Sequence, residues 1–400
     1  MEGAERIVTA EQIHKGKIVI FSHYATTGAC EELRDWLVDL RVREVVYVAF
    51  PFGANPDRFI RTDVYRAGRL FKTTRSLFRI GIPEPLGYAK DFLYAIYYAM
   101  RLARGADLLV AGDNLLSLAG SLARPFARIK RVAYYMIDYT PVRYANRLLN
   151  GLYYWVDRQA ARRANVVWPL TEEMIQARFA AGRLNPGRVR WTVVPYGCHA
   201  VSGASFDVRN VVYLGDIVQS KGADLFIPFA NALRRIVPDF RFTIIGGGRD
   251  LANLKAAVEQ AGLRDQVTFH GFVASIGDVV ALLAQCGVAI APYNSSDANS
   301  FTFYSDPGKV KVYLGCGLPV VLTDVPPIAR VIAREGAGRI ARYDATDLAE
   351  TVASVMRSVE YPAVRARAAA MGREYEWTRI FEAAFEQMDF CGRTENEQGR

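Results

Sequence analysis

Short, unbroken apolar segments rich in Val and Ile alternate with helix-length segments along most of the 400 residues, and this alternation restricts the fold more than any other feature. Continuous apolarity is what the strands of a parallel sheet require when helices cover both of its faces. The first series of strands is predicted at 17–21, 44–50, 107–111, 131–137 and 165–168. The second series is predicted at 210–214, 240–245, 266–270, 288–291 and 319–322, and intervening helices include 28–40, 224–236 and 250–261. The pattern predicts the α/β class, with two doubly wound, Rossmann-like domains.

A segment with turn residues and little apolar periodicity, 195–205, separates the two series. We therefore expect a first domain at 1–200 and a second domain at 201–360. Residues 361–400 are expected to form helices that pack back on the first domain and end in a frayed polar tail. The carboxyl ends of both sheets are expected to face a central cleft, because ligands of open α/β sheets bind at that edge.

Charge and cysteine content narrow the possible partners. The formal net charge of +9 favours anionic partners such as nucleotide phosphates, an acidic lipid surface or nucleic acid. No RNA-binding motif is found, so nucleic acid is not expected. The five cysteines are scattered without a CxxC motif, which is typical of reduced thiols and gives no reason to expect a metal site. No segment approaches ~18 uncharged apolar residues, so a membrane-spanning helix is not expected. The N-terminus lacks the apolar core of a secretion signal. We therefore expect a cytoplasmic protein that can also bind peripherally to the inner face of the membrane.

Two glycine loops follow predicted strands of the second domain. Gly215 ends the first strand and is followed by Lys221 near a helix start, and a glycine triplet at 246–248 follows the next strand. Glycine lets a ligand approach the backbone, and a cation with free N–H groups suits a diphosphate. Phe272 and Val273, after the third strand, can offer apolar surface and backbone groups to a nucleobase. Ordinary helix caps and tight turns would use the same residues, and the triplet is not the GxGxxG dinucleotide fingerprint.

The segment 304–321 is the most specific of the motifs. We interpret Asp306 and Pro307 as the N-cap and first residue of a helix. The free amides at such a helix start can hold phosphate oxygens, and a lysine supplies positive charge. Here Ser305 and the amides of Gly308 and Lys309 are assigned to phosphate oxygens, and Lys309 supplies the charge.

The order of these motifs resembles the C-terminal domain of the family 4, or group 1, retaining glycosyltransferases, which have the two-domain GT-B fold. The resemblance covers 195–345 well and the N-terminal half loosely. It implies an acceptor-binding first domain, a second domain that binds a nucleotide-diphosphate sugar, net retention at the anomeric carbon, and no metal or other cofactor. The residues that it assigns to the donor are Gly28, Gly215, Gly247, Gly248, Phe272, Val273, Ser305, Asp306 and Gly308, with Lys221 and Lys309 as cations that stabilise the leaving diphosphate.

Three positions depart from the family pattern. Asp216 stands where the family usually has Arg, and Tyr304 and Val312 stand where it often has a pair of glutamates. Val312 cannot accept a hydrogen bond, so the donor ribose must be held differently. Some relatives carry a Ser-x-Pro-x-Lys version of the loop and lack the first glutamate, and this chain resembles them.

The first domain matches the family less sharply. Gly28 opens a helix after the first strand, in a loop that borders the donor phosphates and the acceptor in the family, and His23 in the same loop is interpreted as a bystander. Asp138 follows a strand, beside Ile137 at the family's usual histidine position. The resemblance assigns Asp138 to orient a donor hydroxyl or the acceptor, although Asp-x-x-Pro is also turn chemistry.

Residues 61–104 form a basic and aromatic stretch, with nine cations and three acids that give a net charge of +6. Such a surface can lie on an anionic membrane, and related glycosyltransferases with lipid-linked acceptors often bind membranes through this domain. A core helix at 92–102 beside a solvated basic neighbour would explain the same pattern.

The leading interpretation is a glycosyltransferase that moves a sugar to a lipid-linked or polysaccharide acceptor in cell-envelope glycan synthesis. A catalytically degenerate sugar-nucleotide-binding protein of the same fold is one alternative, which the departures motivate. A sugar-nucleotide epimerase, which also uses two Rossmann-like halves, is another. A nicotinamide dehydrogenase is disfavoured, because neither half opens with the expected glycine fingerprint and ribose-binding acid.

Overall fold

A computed structural model of the chain describes residues 13–23, 28–51, 59–78, 84–201, 205–294 and 301–388. The chain divides into two compact units, Met1–Pro195 with Trp377–Arg400, and Tyr196–Glu376. Each unit is an open, largely parallel sheet with helices between its strands, which confirms the predicted class of two Rossmann-like domains. The predicted frayed tail lies outside the described residues.

The first unit contains a seven-stranded sheet in the order β4-β3-β2-β1-β5-β6-β7. Its strands are β1 (Lys17–His23), β2 (Glu44–Phe50), β3 (Phe59–Arg66), β4 (Arg69–Leu77), β5 (Leu108–Ala111), β6 (Arg131–Met136) and β7 (Val166–Pro169). Its helices up to residue 195 are α1 (Ala29–Asp39), α2 (Glu84–Leu102), α3 (Asn114–Ala127), α4 (Arg147–Arg163) and α5 (Glu172–Ala180). The chain leaves β1 towards β2 and leaves β5 towards β6, in opposite directions across the sheet. The topological switch point therefore lies between β1 and β5.

The second unit contains a six-stranded parallel sheet in the order β10-β9-β8-β11-β12-β13. Its strands are β8 (Asn210–Leu214), β9 (Arg241–Ile245), β10 (Val267–Gly271), β11 (Val288–Ala291), β12 (Val320–Thr323) and β13 (Gly338–Ala341). Its helices are α6 (Phe226–Ile236), α7 (Leu251–Gln260), α8 (Ile276–Ala284), α9 (Gly308–Gly315), α10 (Ile328–Arg334), α11 (Ala345–Met356) and α12 (Tyr361–Glu374). By the same reasoning, the switch point of this sheet lies between β8 and β11.

The inner parallel strands are largely apolar because each of their faces supports a separate core. In β8, Val211 and Tyr213 pack into one buried cluster, whereas Val212 between them packs into another on the opposite face. Strands β5, β7, β11 and β12 are buried at every residue. Helices on both faces of the second sheet are therefore held by apolar contact with the same few strands.

The second unit extends to Glu376, beyond the limit of 360 that the sequence analysis gives. Helix α12 packs on α9 at close range, since a Cβ atom at Gly372 would lie only 2.4 Å from the carbonyl oxygen of Leu314. The final described helix, α13 (Trp377–Gln387), belongs to the first unit. There Trp36 of α1 packs between two of its aromatic rings, with centroid distances of 5.5 Å to Phe381 and 5.3 Å to Phe385. The expected return of the C-terminal helices therefore describes α13 and is wrong for α12.

The basic stretch folds into two different structures on either side of residues 79–83, which lie outside the described part. Residues 61–77 belong to the antiparallel hairpin β3–β4, which the sequence analysis does not predict, and every residue of β4 is exposed. Helix α2 is partly a core helix, because Ala95, Tyr98 and Ala99 are buried. None of the described helices combines the length and apolarity that are needed to cross a membrane.

Candidate functional site

The glycine loops that follow β8 and β9 lie against each other, backbone on backbone. The N–H of Ile217 donates to the carbonyl oxygen of Gly247 at 2.7 Å. A Cβ atom at Gly246 would lie 2.0 Å from the carbonyl oxygen of Gly215, and one at Gly248 would lie 2.5 Å from that of Ile217. Gly215, Gly246 and Gly248 have φ angles of +134°, +143° and +149°, which residues with side chains rarely adopt. The close stacking of the two loops therefore requires glycine at these positions.

Lys309 places its ammonium group beside these loops. The residue lies in the first turn of α9, and its Nζ is 4.2 Å from the ring centroid of Tyr213 and 4.8 Å from that of Tyr293. The same Nζ is 3.6 Å from the position that a Cβ atom at Gly215 would occupy. It is buried and has no hydrogen-bond partner among the residues that the structure describes. A buried amine without a hydrogen-bond partner attracts an anion strongly when it is protonated.

Burial is the main influence on the protonation of Lys309. Burial and, to a smaller extent, the nearby charge of Lys221 lower the pKa of the amine, and Asp216 opposes them, so that the pKa falls from the usual 10.5 to about 7. An anion bound at this position would favour the protonated amine and raise its pKa. The charge of Lys309 is therefore coupled to whatever binds beside it.

Asp216, at the position where the family usually has Arg, pairs with a lysine of the same loop. The Nζ of Lys221 lies 2.7 Å from Oδ2 of Asp216, and their side chains are 32% and 69% exposed. The hydroxyl of Tyr213 donates to the carbonyl oxygen of Asp216 at 2.9 Å, which fixes this part of the loop. The departure thus changes the charge of the site, because a carboxylate now neutralises one of its two predicted cations.

Asp306 has a different role from the predicted one. The N-cap of α9 is Pro307 and no side chain caps the helix, so the interpretation of Asp306 as the N-cap is wrong. Its Oδ2 accepts from the N–H of Tyr196 at 2.7 Å, and its Oδ1 lies 3.2 Å from Nζ of Lys311. Burial raises the pKa of Asp306, while Lys311 and the Tyr196 N–H lower it. The carboxylate therefore does not cap the helix. It instead pairs with a buried lysine and accepts a hydrogen bond from a backbone N–H.

Gly308 and Ser305 complete the start of α9. A Cβ atom at Gly308 would lie 2.9 Å from the ring of Tyr196, so glycine allows that ring to pack against the helix start. The hydroxyl of Ser305 donates to the carbonyl oxygen of Thr302 at 3.2 Å. The first amides of α9 have no acceptor within the helix, as at any helix N-terminus.

The predicted nucleoside contacts lie at the end of β10 and on α9. Phe272 is 72% exposed, and a Cβ atom at Gly247 would lie 3.8 Å from its Cβ, so the base of its side chain adjoins the glycine loops. Val273 and Val312 pack partly buried against the core cluster under β11 and β12. Tyr304 is half-buried. The structure brings Gly215, Gly247, Gly248, Lys221, Lys309 and Phe272 together around two stacked loops.

In the first unit, the predicted residues lie at the carboxyl edge of the sheet. Gly28 is the N-cap of α1, with a φ of −172°, and its carbonyl oxygen accepts from the N–H of Glu32. The carboxylate of Asp138 is 64% exposed and lies 3.7 Å from Nη1 of Arg143. Its backbone oxygen accepts from Nη2 of the buried Arg178 at 3.1 Å. Asp138 thus presents its side chain to solvent while its main chain is fixed from inside.

The interpretation of His23 as a bystander missed a contact at this edge. The Nε2 of His23 bonds to Oδ2 of Asp113, and Oδ1 of Asp113 accepts from the N–H of Leu116 at 2.8 Å as the N-cap of α3. His23 ends β1 and Asp113 follows β5 by two residues, and these strands are neighbours. The strand order could have revealed this pair, because both residues follow strands that end at the same edge.

A buried ion pair supports this edge from below. Nε of Arg178 lies 2.9 Å from Oδ2 of Asp157, with exposures of 0% and 1%, and the hydroxyl of Tyr134 donates to Oδ1 of Asp157 at 2.8 Å.

In the part of the chain that the structure describes, no cluster of three or more His, Cys, Asp or Glu side chains could hold a metal ion.

The sequence of the second unit matches a known family. Residues 208–358 match the model "Glycosyl transferases group 1". The chain is 26% identical over 164 residues to alpha-D-kanosaminyltransferase of Streptomyces kanamyceticus. This match covers 36% of this chain and 42% of that protein. It is 30% identical over 139 residues to D-inositol 3-phosphate glycosyltransferase of Paenarthrobacter aurescens. This match covers 34% of this chain and 32% of that protein. The matches thus span half or less of these relatives' lengths.

Solved structures resemble nearly the whole chain. The Anabaena protein Alr3699/HepE, crystallised with UDP, superposes with a TM-score of 0.66 at 18% identity, over 93% of this chain and 99% of that one. At this identity the likeness establishes the fold. The second unit therefore carries a group 1 glycosyltransferase domain, which confirms the family that the order of motifs predicts, and the chain as a whole has the GT-B fold.

Proposed function

We propose that the chain is a glycosyltransferase that binds a nucleotide-diphosphate sugar on its second unit and transfers the sugar, with retention, to a glycan acceptor. The observation that carries this proposal is the buried, unpartnered ammonium group of Lys309 beside the stacked glycine loops. A leaving diphosphate needs positive groups beside it, and Lys221 and protonated Lys309 can supply them. We propose that no metal ion is needed for this reason.

The parts of a nucleotide-sugar site lie in a consistent order around Lys309. The start of α9 offers free amides and the positive end of a helix dipole to phosphate oxygens. The glycine loops leave backbone open to close approach, and the exposed ring of Phe272 offers a face to a nucleobase. The Anabaena protein of the same fold was crystallised with UDP-glucose, and a donor of that class fits this arrangement.

Donor binding is tested by thermal unfolding with a panel of UDP-, GDP- and ADP-sugars. We expect one nucleotide class to raise the Tm, and we expect Lys309→Met to abolish the shift and Lys221→Met to reduce it. Lys255→Met is the matched control, because Lys255 is an exposed lysine on α7 whose Nζ lies near the ring of Phe269. A shift that survives in both site variants, or no shift with any donor, would refute the proposed site.

Transfer itself is tested by incubating the protein, the selected donor and a lipid or polysaccharide extract, followed by mass spectrometry. A product heavier by one sugar residue is expected, and NMR of its anomeric proton reports retention. The pair between Asp216 and Lys221 and the loss of the ribose-binding glutamate at Val312 favour a second candidate, a donor-binding protein without turnover. Donor binding without a product from any acceptor would support that candidate, and an isomerised donor without acceptor would indicate an epimerase.

We propose a lipid-linked or polysaccharide acceptor of the cell envelope, presented at the inner membrane face. Helices α2, α3 and α4 pack side by side, and each carries large apolar side chains that are exposed. These exposed side chains are Leu93, Tyr97, Met100, Leu122, Phe126, Leu148, Leu152 and Trp155. The hairpin β3–β4 of the same unit adds exposed cations from the basic stretch. Apolar and cationic groups on one unit suit an anionic lipid surface.

Membrane contact is tested by co-sedimentation with vesicles of phosphatidylglycerol and of phosphatidylcholine. We expect binding to the anionic vesicles that falls with salt, and weaker binding in a Phe126→Ser, Leu148→Ser double variant. Val359→Ser is the control, because Val359 is 96% exposed but lies on the second unit. Equal binding to both vesicle types, or none, would refute the membrane surface without bearing on donor binding.

A further inference from the structure

The first unit contains a pocket in which four of the eight lining residues are arginines. Its volume is about 430 Å³, which is within the usual range for sites that bind small molecules. Arg158 and Arg162 come from α4, and Arg183 and Arg188 come from the segment that follows α5. We call this site the arginine pocket. None of its lining residues is acidic, and the proposed donor site uses none of them.

Three of these arginines have no acidic partner in the part of the chain that the structure describes. Arg158, Arg162 and Arg188 are exposed, and none of them forms an ion pair with a described residue. Arg158 and Arg162 are four residues apart on one helix, so their like charges repel each other. The negative end of the α4 dipole favours a cation only in the last turn, which contains Arg162. The protein therefore holds several cations together here without a carboxylate to balance them.

The guanidinium group of Arg183 is already ordered. Its Nη1 donates to the hydroxyl of Tyr139 at 3.1 Å, and its Nη2 donates to the carbonyl oxygen of Pro141 at 3.1 Å. Its Cζ lies 3.4 Å from the ring centroid of Tyr154. A guanidinium group has five N–H donors, so these contacts leave donors for a ligand. A ligand that binds Arg183 would lose little free energy to ordering this side chain.

The two segments that supply the arginines are fixed to each other. The buried pair between Arg178 and Asp157 joins α5 to α4 one residue before Arg158. The carbonyl oxygen of Arg178 accepts from the N–H of Arg183 at 2.9 Å and from that of Leu184 at 3.2 Å, and Leu184 is buried. The spacing of the backbone that carries the arginines is therefore set before any ligand binds.

We propose that the arginine pocket binds a phosphate monoester or diphosphate group. Each guanidinium group is a planar fork that can hold two oxygen atoms of an anion. A carboxylate offers two oxygens and one charge, which a single arginine satisfies. A phosphate monoester or diphosphate offers at least three oxygens and more than one negative charge, which several arginines can share. This inference goes beyond the proposed function, because the donor site lies on the second unit.

Exposed apolar side chains on α4 bear on the source of the phosphate. Leu148, Leu152 and Trp155 are 85%, 56% and 49% exposed. Their spacing of three and four residues, which continues seven residues later at Arg162, places them on one face of the helix. Arg158 follows Trp155 by about 5 Å along the helix axis. A phosphate that carries an apolar chain would contact both the arginines and this face, whereas a soluble phosphate ester would use the pocket alone.

Phosphate binding is tested by calorimetric titration with inorganic pyrophosphate. The titration is made in wild type and in Lys309→Met, where the proposed donor site does not contribute. In Lys309→Met we expect binding that weakens with salt and that falls by about 10- to 100-fold when Arg158→Gln and Arg162→Gln are added. The Tm should not fall, because these changes remove a pair of like charges from exposed positions. Arg128→Gln with Arg147→Gln is the matched control, which removes two exposed arginines of the same unit outside the pocket and should leave the affinity unchanged.

Replacing the same two arginines by lysine separates the fork from the charge. Arg158→Lys with Arg162→Lys keeps both positive charges but cannot hold two oxygens with one planar group. We expect its affinity for pyrophosphate to lie between those of the wild-type pocket and the glutamine variant. A lysine variant that binds as tightly as the wild-type pocket would refute recognition by the guanidinium forks.

Vesicle co-sedimentation identifies the source of the phosphate. Vesicles of phosphatidic acid, whose head group is a phosphate monoester, are compared with vesicles of phosphatidylglycerol at matched zeta potential. A preference for phosphatidic acid that is lost in the glutamine variant and kept in its matched control assigns a lipid phosphate, and pyrophosphate binding without that preference assigns a soluble phosphate ester. The absence of both, or their persistence in the glutamine variant, refutes the arginine pocket. Thermal shifts with nucleotide sugars depend on Lys309 and Lys221, so they should survive in the glutamine variant and report on the donor site separately.

Discussion

Replacing Lys309 by methionine should stabilise the protein at neutral pH while removing its affinity for a nucleotide diphosphate. The amine is buried among tyrosine rings, and burial holds its pKa at about 7 instead of 10.5. The unfolded chain therefore binds more protons than the folded chain between these two values. It follows that Lys309 destabilises the fold fully below pH 7, and that this penalty shrinks as pH rises and vanishes above 10.5.

The size of the effect follows from the same two pKa values. A difference of one in pKa corresponds to about 1.4 kcal/mol, which gives a penalty of about 4 kcal/mol at pH 7 and about 2 kcal/mol at pH 9. Methionine keeps most of the apolar stem of lysine and carries no charge. Its loss of the contacts with the rings of Tyr213 and Tyr293 costs about 0.5–2 kcal/mol, independent of pH in this range. The gain from the Lys309→Met variant should therefore be about 2 kcal/mol larger at pH 7 than at pH 9.

Urea unfolding of wild type and Lys309→Met at the two pH values measures this difference directly. Comparing the variant with wild type removes the contribution of the titrating groups that do not interact with Lys309. A gain that is the same at both pH values would refute the argument, and so would a variant that is less stable than wild type at pH 7. Lys255→Met, at an exposed lysine, should show no dependence on pH.

The same coupling predicts that a nucleotide diphosphate takes up a proton when it binds. Phosphate oxygens beside Lys309 would raise the pKa of the amine, so a site that is largely neutral at pH 8 becomes charged on binding. Titration calorimetry in two buffers of different ionisation enthalpy should show close to one proton taken up at pH 8 and less at pH 6. Proton release, or no dependence on the buffer at pH 8, would contradict this reasoning.

Three further outcomes test the contacts around the two sheets. Gly246→Ala should lower the free energy of unfolding by more than about 2 kcal/mol and weaken donor binding. Its Cβ would lie 2.0 Å from the carbonyl oxygen of Gly215, and its φ of +143° is strained for alanine. An unchanged free energy of unfolding in urea would show that the loops do not stack so closely. Arg178→Ala should cost about 3–5 kcal/mol, because it leaves the carboxylate of Asp157 buried without its partner, and an Arg178→Met, Asp157→Leu double variant should recover most of this loss. Phe272→Ala should leave the Tm unchanged, since the ring is 72% exposed, but should weaken donor binding by about 1–3 kcal/mol in calorimetry, and unchanged affinity would remove Phe272 from the nucleobase site.

The architecture could be predicted because its signal is local. Most of the parallel strands are buried on both faces, so a short apolar run such as those in β1 and β11 predicts a strand without knowledge of its neighbours. The hairpin β3–β4 was missed for the converse reason. Its outer strand is exposed at every residue and carries cations, and only its pairing with β3 makes it a strand. Strand β13, with exposed residues in its middle, was missed in the same way.

The candidate site could be predicted only as far as glycines and helix starts mark it. Gly215 and Gly246 were found because they follow strands, and close backbone approach leaves a trace in the residue type. The burial of Lys309 could not be predicted, because it depends on Tyr293, which reaches the amine from the end of a different strand. For Asp306 the sequence predicted a contact that does not form. The local rule for helix caps does not consider distant partners, and Asp306 instead contacts a buried lysine and a backbone N–H.

The departure at Asp216 has a consequence for how the site acquires its charge. A family member with arginine at this position has a permanent cation, because a guanidinium group stays protonated in any protein environment. Here the same position carries a carboxylate, and it holds Lys221 in an ion pair at 2.7 Å. The remaining cation, Lys309, is one whose protonation depends on its neighbours. A donor must therefore create part of the charge that binds it, by protonating Lys309 and by competing with Asp216 for Lys221. These two steps reduce the net free energy of donor binding. The affinity for the donor should therefore fall as pH rises above 7, where a site with arginine would keep its charge.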